Sequence, residues 1–272
     1  MPRLVAIAVS VVTLVACAGQ SGLSTATPKA AIRWNQTEAP PGVDVPGAEW
    51  LKIEGAGGTS TNVDVGAVQV AAVVRPPGPG PFPLVIWFHG GEGFHVGDVT
   101  IAAQLTAAGF MVLVGCWEYT PTGATVYEGV SYQNIPCLQG PASFSEAVSA
   151  LIEVGHQLPG LKKHSIGLFG ISASGPLVLQ YAVTKTDVGA VVVDSPTGCV
   201  ASKVPVPVLI LGGTADLALI GAERSCEQTL RKLGTTVESH FYEGGTHGVT
   251  YFDPVHVDAR QRTTDFFKRY LG

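Results

Sequence analysis

Ser172 stands in Gly170-Ile171-Ser172-Ala173-Ser174, between two apolar runs, Ser165 to Phe169 and Leu177 to Val183. The first has the length of a buried parallel strand. The second continues as a helix, with Pro176 tolerated in its opening turn. A serine on so sharp a strand-to-helix turn needs small residues two positions to either side, because backbone passes close there. The turn lifts the hydroxyl off the sheet and aims the Ala173 amide into the same space. One element thus offers a nucleophile and half of an oxyanion hole. Ser174 is a rival, but its own window puts Pro176 at the second small position.

Two more segments end apolar runs with residues that complete this chemistry: Gly213-Thr214-Ala215-Asp216 and Gly244-Gly245-Thr246-His247-Gly248. A serine hydroxyl is a weak nucleophile until an imidazole takes its proton. The imidazole in turn needs a carboxylate to orient it and stabilise its charged form. His247 is the expected base and Asp216 the expected acid, with Asp194, at the preceding run's end, as the alternative acid. A second oxyanion donor is expected from Gly90-Gly91-Glu92, through the Gly91 or the Glu92 amide. His95 and Trp117 are possible substrate contacts, and His89 is expected to shape the oxyanion loop. His156, His164, His240 and His256 read as surface or packing residues. No metal or organic cofactor is implied.

The elements that must bring these residues together alternate. Leu84 to Phe88, Phe110 to Gly115, Ser165 to Phe169, Gly189 to Asp194, Val206 to Leu211 and Thr236 to Tyr242 read as strands. Helices are expected over Val99 to Ala108, Ser143 to Leu158, Leu177 to Val183, Gly221 to Leu233 and Pro254 to Tyr270. Earlier strands are expected at Trp50 to Glu54 and Val63 to Arg75, joined by a hairpin-like turn over Gly55 to Thr61. Alternation of this kind builds an α/β fold, a mostly parallel central sheet covered on both faces by helices. Sites in such sheets form outside the strands' carboxyl ends, where Ser172, Asp216 and His247 all fall. A loop of about twenty residues after Tyr119 is long enough to be functional. The short stretch between Asp194 and Val206 leaves no room for a large cap domain.

With His89-Gly90-Gly91, the serine turn, the aspartate turn and the histidine turn in view, residues 48 to 272 resemble the α/β-hydrolase family. The likeness is greatest to its small carboxylesterase and dienelactone-hydrolase-like members. It implies Ser172 as nucleophile, Asp216 as acid and His247 as base of a serine esterase working through an acyl-enzyme. Two departures stand out: Ser174 occupies the second small position of the turn, and the nucleophile is serine where dienelactone hydrolases carry cysteine. Acyl transfer or peptide cleavage on the same triad is the near alternative. A non-catalytic envelope binding module of the same fold is the distant one.

The chain has 272 residues and a formal net charge of −5, with no Lys/Arg cluster, which argues against nucleic acid as a partner. A small-molecule ester is the expected partner, and a monomer the expected state. Arg3 followed by the apolar run Leu4 to Ala16 reads as a signal peptide (residues 1–17). Leu14-Val15-Ala16-Cys17 resembles a bacterial lipobox, with Cys17 lipidated. Cleavage after Ala18, giving a secreted protein, is the alternative. Residues 18–47, rich in Ala, Ser, Thr, Pro and Gly, are expected as a flexible tether to a domain over 48–272. An exported, envelope-located chain leaves Cys116, Cys137, Cys199 and Cys226 to form disulfides. Of three possible connectivities, Cys116–Cys137 and Cys199–Cys226 are preferred because they staple neighbouring loops.

Overall fold

The structure is a computed structural model that describes residues 32–55, 68–118, 120, 122–127, 129–139, 144–252 and 254–272. The expected signal peptide, lipidation site Cys17, most of the 55–61 turn and Ser143, the expected first residue of its helix, lie outside the described residues.

Among the described residues, twelve strands and five α-helices follow in order: β1 Arg33–Thr37, β2 Ala48–Glu54, β3 Val68–Val74, β4 Phe82–Phe88, α1 Val96–Ala103 and β5 Met111–Gly115. Next come β6 Ala124–Tyr127, β7 Val130–Gln133, β8 Leu138–Gln139, α2 Phe144–Gln157, β9 Leu161–Ile171 and α3 Gly175–Thr184. The chain closes with β10 Val188–Asp194, β11 Val208–Gly213, α4 Ile220–Lys232, β12 Val237–Tyr242 and α5 His256–Leu271. The main sheet runs β1-β2-β3-β5-β4-β9-β10-β11-β12, with β8 pairing β3. From β5 to β12 every neighbour is parallel; β1, β2 and β3 extend that block antiparallel.

The strands are apolar on both faces because both faces are covered. Leu84, Ile86 and Phe88 of β4 pack with Leu151 of α2, Val178 of α3 and Leu230 of α4. Val85 and Trp87, one residue out of phase, pack with Val99 of α1 and Phe266 of α5. The period of two along a strand thus sorts each side chain to one helical layer. Gly115 and Gly155 are close approaches: a Cβ on Gly115 would lie 2.1 Å from Leu151. Residues 195–207 join β10 to β11 without a helix, so no cap domain is inserted there.

Two expectations change. Residues 33–37, assigned to the tether, form β1 in antiparallel register with β2, Arg33 opposite Glu54 and Thr37 opposite Trp50. Most of its residues are exposed, so pairing with β2 and the packing of Trp34 on the core place it, and composition alone reads it as linker. The long loop after Tyr119 holds the β6–β7 hairpin and then β8. Both preferred disulfides are present, Cys116–Cys137 and Cys199–Cys226. The first ties the end of β5 to the segment entering β8.

Candidate active site

The turn after β9 is as tight as its small residues require. Ser172 has φ 53°, in the left-handed region, and is the only residue of its turn held there. For a non-glycine this is strained backbone, maintained by what surrounds it. A Cβ on Gly170 would sit 2.9 Å from the Ser174 carbonyl oxygen, so only glycine fits two residues before the serine. Ser174, two residues after it, is fully buried. Its Oγ lies 2.9 Å from the Ile171 carbonyl oxygen and 3.0 Å from that of Phe88, so its hydroxyl is spent on backbone. The rival serine is a strut between the turn and the end of β4.

The aspartate and histidine turns are laced together. Ala215 N–H donates to the Gly245 carbonyl at 2.9 Å, Thr214 N–H to the Tyr242 carbonyl at 2.9 Å, and Gly244 N–H to Thr214 Oγ1 at 2.9 Å. The backbones approach so closely that a Cβ on Gly213 would lie 2.1 Å from the Gly245 oxygen. The result is His247 Nδ1 at 2.7 Å from Asp216 Oδ2. The other oxygen, Oδ1, accepts from the Leu219 amide at 3.3 Å ahead of α4. Asp216 therefore both steadies the entry to a helix and meets the imidazole.

Asp194 has a different task. It is fully buried at the end of β10 and takes hydrogen bonds from Ser195 Oγ (3.0 Å), Val249 N (3.2 Å), Thr250 N (2.9 Å) and Thr250 Oγ1 (2.5 Å). Ser195 Oγ in turn receives Gly248 N–H at 3.0 Å. This carboxylate clamps the three residues that follow His247. The clamp seats Gly248 against the serine turn: a Cβ there would be 3.2 Å from Ile171 Cδ1. The residue after His247 and the residue before Ser172 are thus in contact. On the opposite side, a Cβ on Gly91 would be 3.6 Å from that of Ala173, so the two expected oxyanion residues are neighbours.

His89 is buried beneath this loop, its ring stacked on Phe94 and Trp117. Burial pushes its pKa down to about 3, so it is neutral. Trp117, expected as a substrate contact, is buried and donates its indole N–H to the His89 carbonyl at 2.7 Å. It props the loop from below, because the indole needs a partner once covered.

A small cavity opens beside His247, about 10 Å3, room for roughly one water-sized group. Glu92 and His95 line it, as do Tyr132, Tyr251 and Phe252, which the sequence did not single out. Tyr251 and Phe252 follow His247 closely, a signal that was available. Tyr132 comes from β7 and stacks on His95 at 4.7 Å, so the hairpin reaches the site. Behind the cavity, Asp98 accepts from Tyr251 OH (2.5 Å) and the His95 amide (2.8 Å), and Trp87 Nε1 donates to Tyr251 OH (3.0 Å). Burial raises the Asp98 carboxyl to about 7 and lowers His95 to about 4. Burial, then Asp98, also raises Glu92.

One acid was invisible as such. Glu223 of α4 is fully buried, and among the described residues no donor reaches either carboxyl oxygen. A Cβ on Gly212 would fall 1.8 Å from its Oε2. Burial, with Asp194 and Asp216 nearby, raises its pKa to about 8.

Comparison with known proteins agrees with this architecture. The model of the dienelactone hydrolase family matches residues 70–271. No curated protein matches the chain. Among solved structures, a dienelactone hydrolase from Anabaena variabilis superposes with TM-score 0.56 at 17% identity, over 77% of this chain and 94% of that one. Acetyl xylan esterase 1 from a Thermoanaerobacterium species gives 0.60 at 16% identity, over 88% and 87%. An acylaminoacyl peptidase from Pyrococcus horikoshii gives 0.57 at 14% identity, over 78% of this chain and only 40% of that one. At these identities the structural likenesses speak to the fold.

Proposed function

Because the chain belongs to the dienelactone hydrolase family, we propose that it is a serine hydrolase that cleaves small carboxylic esters through an acyl-enzyme. The observation that carries this reading is the 2.7 Å pair between His247 and Asp216, set on the sheet rim that also bears the strained Ser172. Ser172 Oγ attacks the ester carbonyl carbon while His247 Nε2 takes its proton. Asp216, on Nδ1, holds the ring and stabilises the imidazolium. The amides of Ala173 and Gly91 receive the developing oxyanion. Gly91 is favoured over Glu92 because the Glu92 side chain folds back over Gly90 toward its own amide. Collapse of the tetrahedral species expels the alkoxide, which takes the proton from His247. Water then repeats the sequence on the acyl-enzyme and regenerates Ser172.

The esterase reading is supported by the family and by the named activity of the acetyl xylan esterase neighbour. Labelling with a fluorophosphonate and turnover of p-nitrophenyl acetate test it. Both are expected to vanish in Ser172→Ala and to persist in Ser174→Ala. Survival of labelling in the Ser172 variant overturns the assignment. Export and anchoring at Cys17 belong to the same proposal, and loss of metabolic fatty-acid label in Cys17→Ser is the expected result.

A further inference from the structure

The cavity beside His247 has a chemical character of its own. Its acid is Glu92, and its aromatic walls are Tyr132, Tyr251 and Phe252; among the described residues no Lys or Arg lines it. Tyr132 and Phe252 meet edge to face at 6.3 Å, and Tyr251 and Phe252 lie 6.1 Å apart. His95 Nε2 is 3.9 Å from Glu92 Oε1, beyond a hydrogen bond, and burial keeps this imidazole neutral. Among the described residues no Lys or Arg pairs with this carboxyl, which accepts from its own amide and is largely withdrawn from water. Such a group gains most from a donor that arrives with the substrate. Aromatic faces favour the same cationic visitor. Glu92 follows Gly91 directly, so its carboxyl group, folded back over Gly90, lies beside the oxyanion loop and lines this cavity.

We infer that this cavity selects esters whose acyl α-carbon bears a small hydrogen-bond donor, an ammonium or a hydroxyl, and that Glu92 is the specificity-determining residue. The inference rests on the esterase reading and adds to it the polarity of the acyl group. An –NH3+ or –OH brings an N–H or O–H to donate to Glu92, which a trimethylammonium group lacks. An acyl chain carrying a carboxylate meets Glu92 as a like charge and is rejected.

Ethyl glycinate, ethyl glycolate, ethyl propanoate, the monoethyl ester of malonic acid and the ethyl ester of trimethylglycine form a matched panel. Because these esters differ in intrinsic reactivity, the quantity read is each ester's kcat/KM relative to ethyl propanoate, in wild type and in Glu92→Gln at pH 7. The glycinate ratio is expected to fall about 10- to 100-fold in the variant, as loss of a charged hydrogen bond would give, and the malonate ratio to rise. The trimethylglycine ester is expected to be a poor substrate for both. A glycinate ratio unchanged between the two enzymes overturns the inference while leaving the esterase reading intact. Failure of wild type to cleave any ester in the panel, together with no Ser172-dependent fluorophosphonate labelling, overturns both. Should the variant not fold, wild type alone decides: methylammonium is expected to compete with ethyl propanoate and acetate is not. Competition by acetate alone refutes the role of Glu92.

Discussion

Replacing Glu223 by Gln isolates the energetic consequence of an acid sealed under β11 without a partner. Its carboxyl is raised from an ordinary value near 4.5 to about 8, so the folded protein keeps a proton that the unfolded chain releases. Between those two values the native state binds more protons than the unfolded state. Stability therefore falls as pH rises, by about 1.4 kcal/mol per pH unit. Below pH 4.5 both states are protonated and the effect is absent; above pH 8 both are ionised and it is complete. Summed from pH 5 to pH 8, the loss is on the order of 3.5 kcal/mol. Glutamine has no proton to lose, so this component of the slope disappears. Whatever Gln costs through its own buried amide is the same at every pH and cancels from the slope. Asp98, another raised acid, titrates in both proteins and cancels as well. Urea unfolding at pH 5, 6, 7 and 8 measures the difference. Stability of Glu223→Gln relative to wild type should climb steadily with pH, and Glu223→Met should show the same trend. Parallel stability profiles for wild type and both variants would refute the argument, since they would show that Glu223 is ionised in the fold.

The remaining expectations separate the roles of neighbouring residues. Asp216→Asn should lower kcat by about 10^3- to 10^4-fold with little change in melting temperature, because the imidazole loses its orienting charge. Asp194→Asn should instead destabilise the fold by about 3 kcal/mol in chemical denaturation, because it faces backbone N–H and hydroxyl donors with an amide. Gly213→Ala forces a Cβ into the Gly245 carbonyl and should cost about 2–3 kcal/mol together with most of the esterase activity, measured on the same preparation. Replacing Cys116 and Cys137 with serine opens a loop of sequence separation 21, for which chain entropy gives about 3 kcal/mol, readable as a lowered denaturation midpoint.

The backbone of this site was legible because backbone constraints leave a mark in sequence. Gly170 and Gly213 stand where any side chain would strike a carbonyl, and glycine at those offsets announced the two turns. The sheet was legible because strands buried on both faces must be continuously apolar, as Leu84 to Phe88 is. What failed to show was decided by tertiary packing. β1 is mostly exposed and is held by pairing with β2 and by Trp34 against the core, tertiary contacts that the stretch Arg33 to Thr37 does not announce. Trp117 follows a strand end, as a pocket residue would, but it turns inward once His89 offers a carbonyl. Tyr132 lies in a short hairpin far along the chain, and the antiparallel bridge of His95 with Asn134, with Ile135 N–H donating to the Phe94 carbonyl, sets it beside His95. Glu223 sits in the first turn of α4, where an acid ordinarily faces water and favours the helix dipole.

The disulfide connectivity bears on how the chain is made. Each described cysteine is bonded to the next one along the sequence, 116 with 137 and 199 with 226. Under the proposed export, a polypeptide threading N-terminus first into oxidising surroundings would bring each of these four cysteines its correct partner before a wrong one among them. Oxidation in order of emergence then arrives at the native pattern with no reshuffling step. The thiol that disturbs this order is Cys17, which emerges ahead of Cys116. Under the proposed export, acylating Cys17 or discarding it with a leader would remove that competitor.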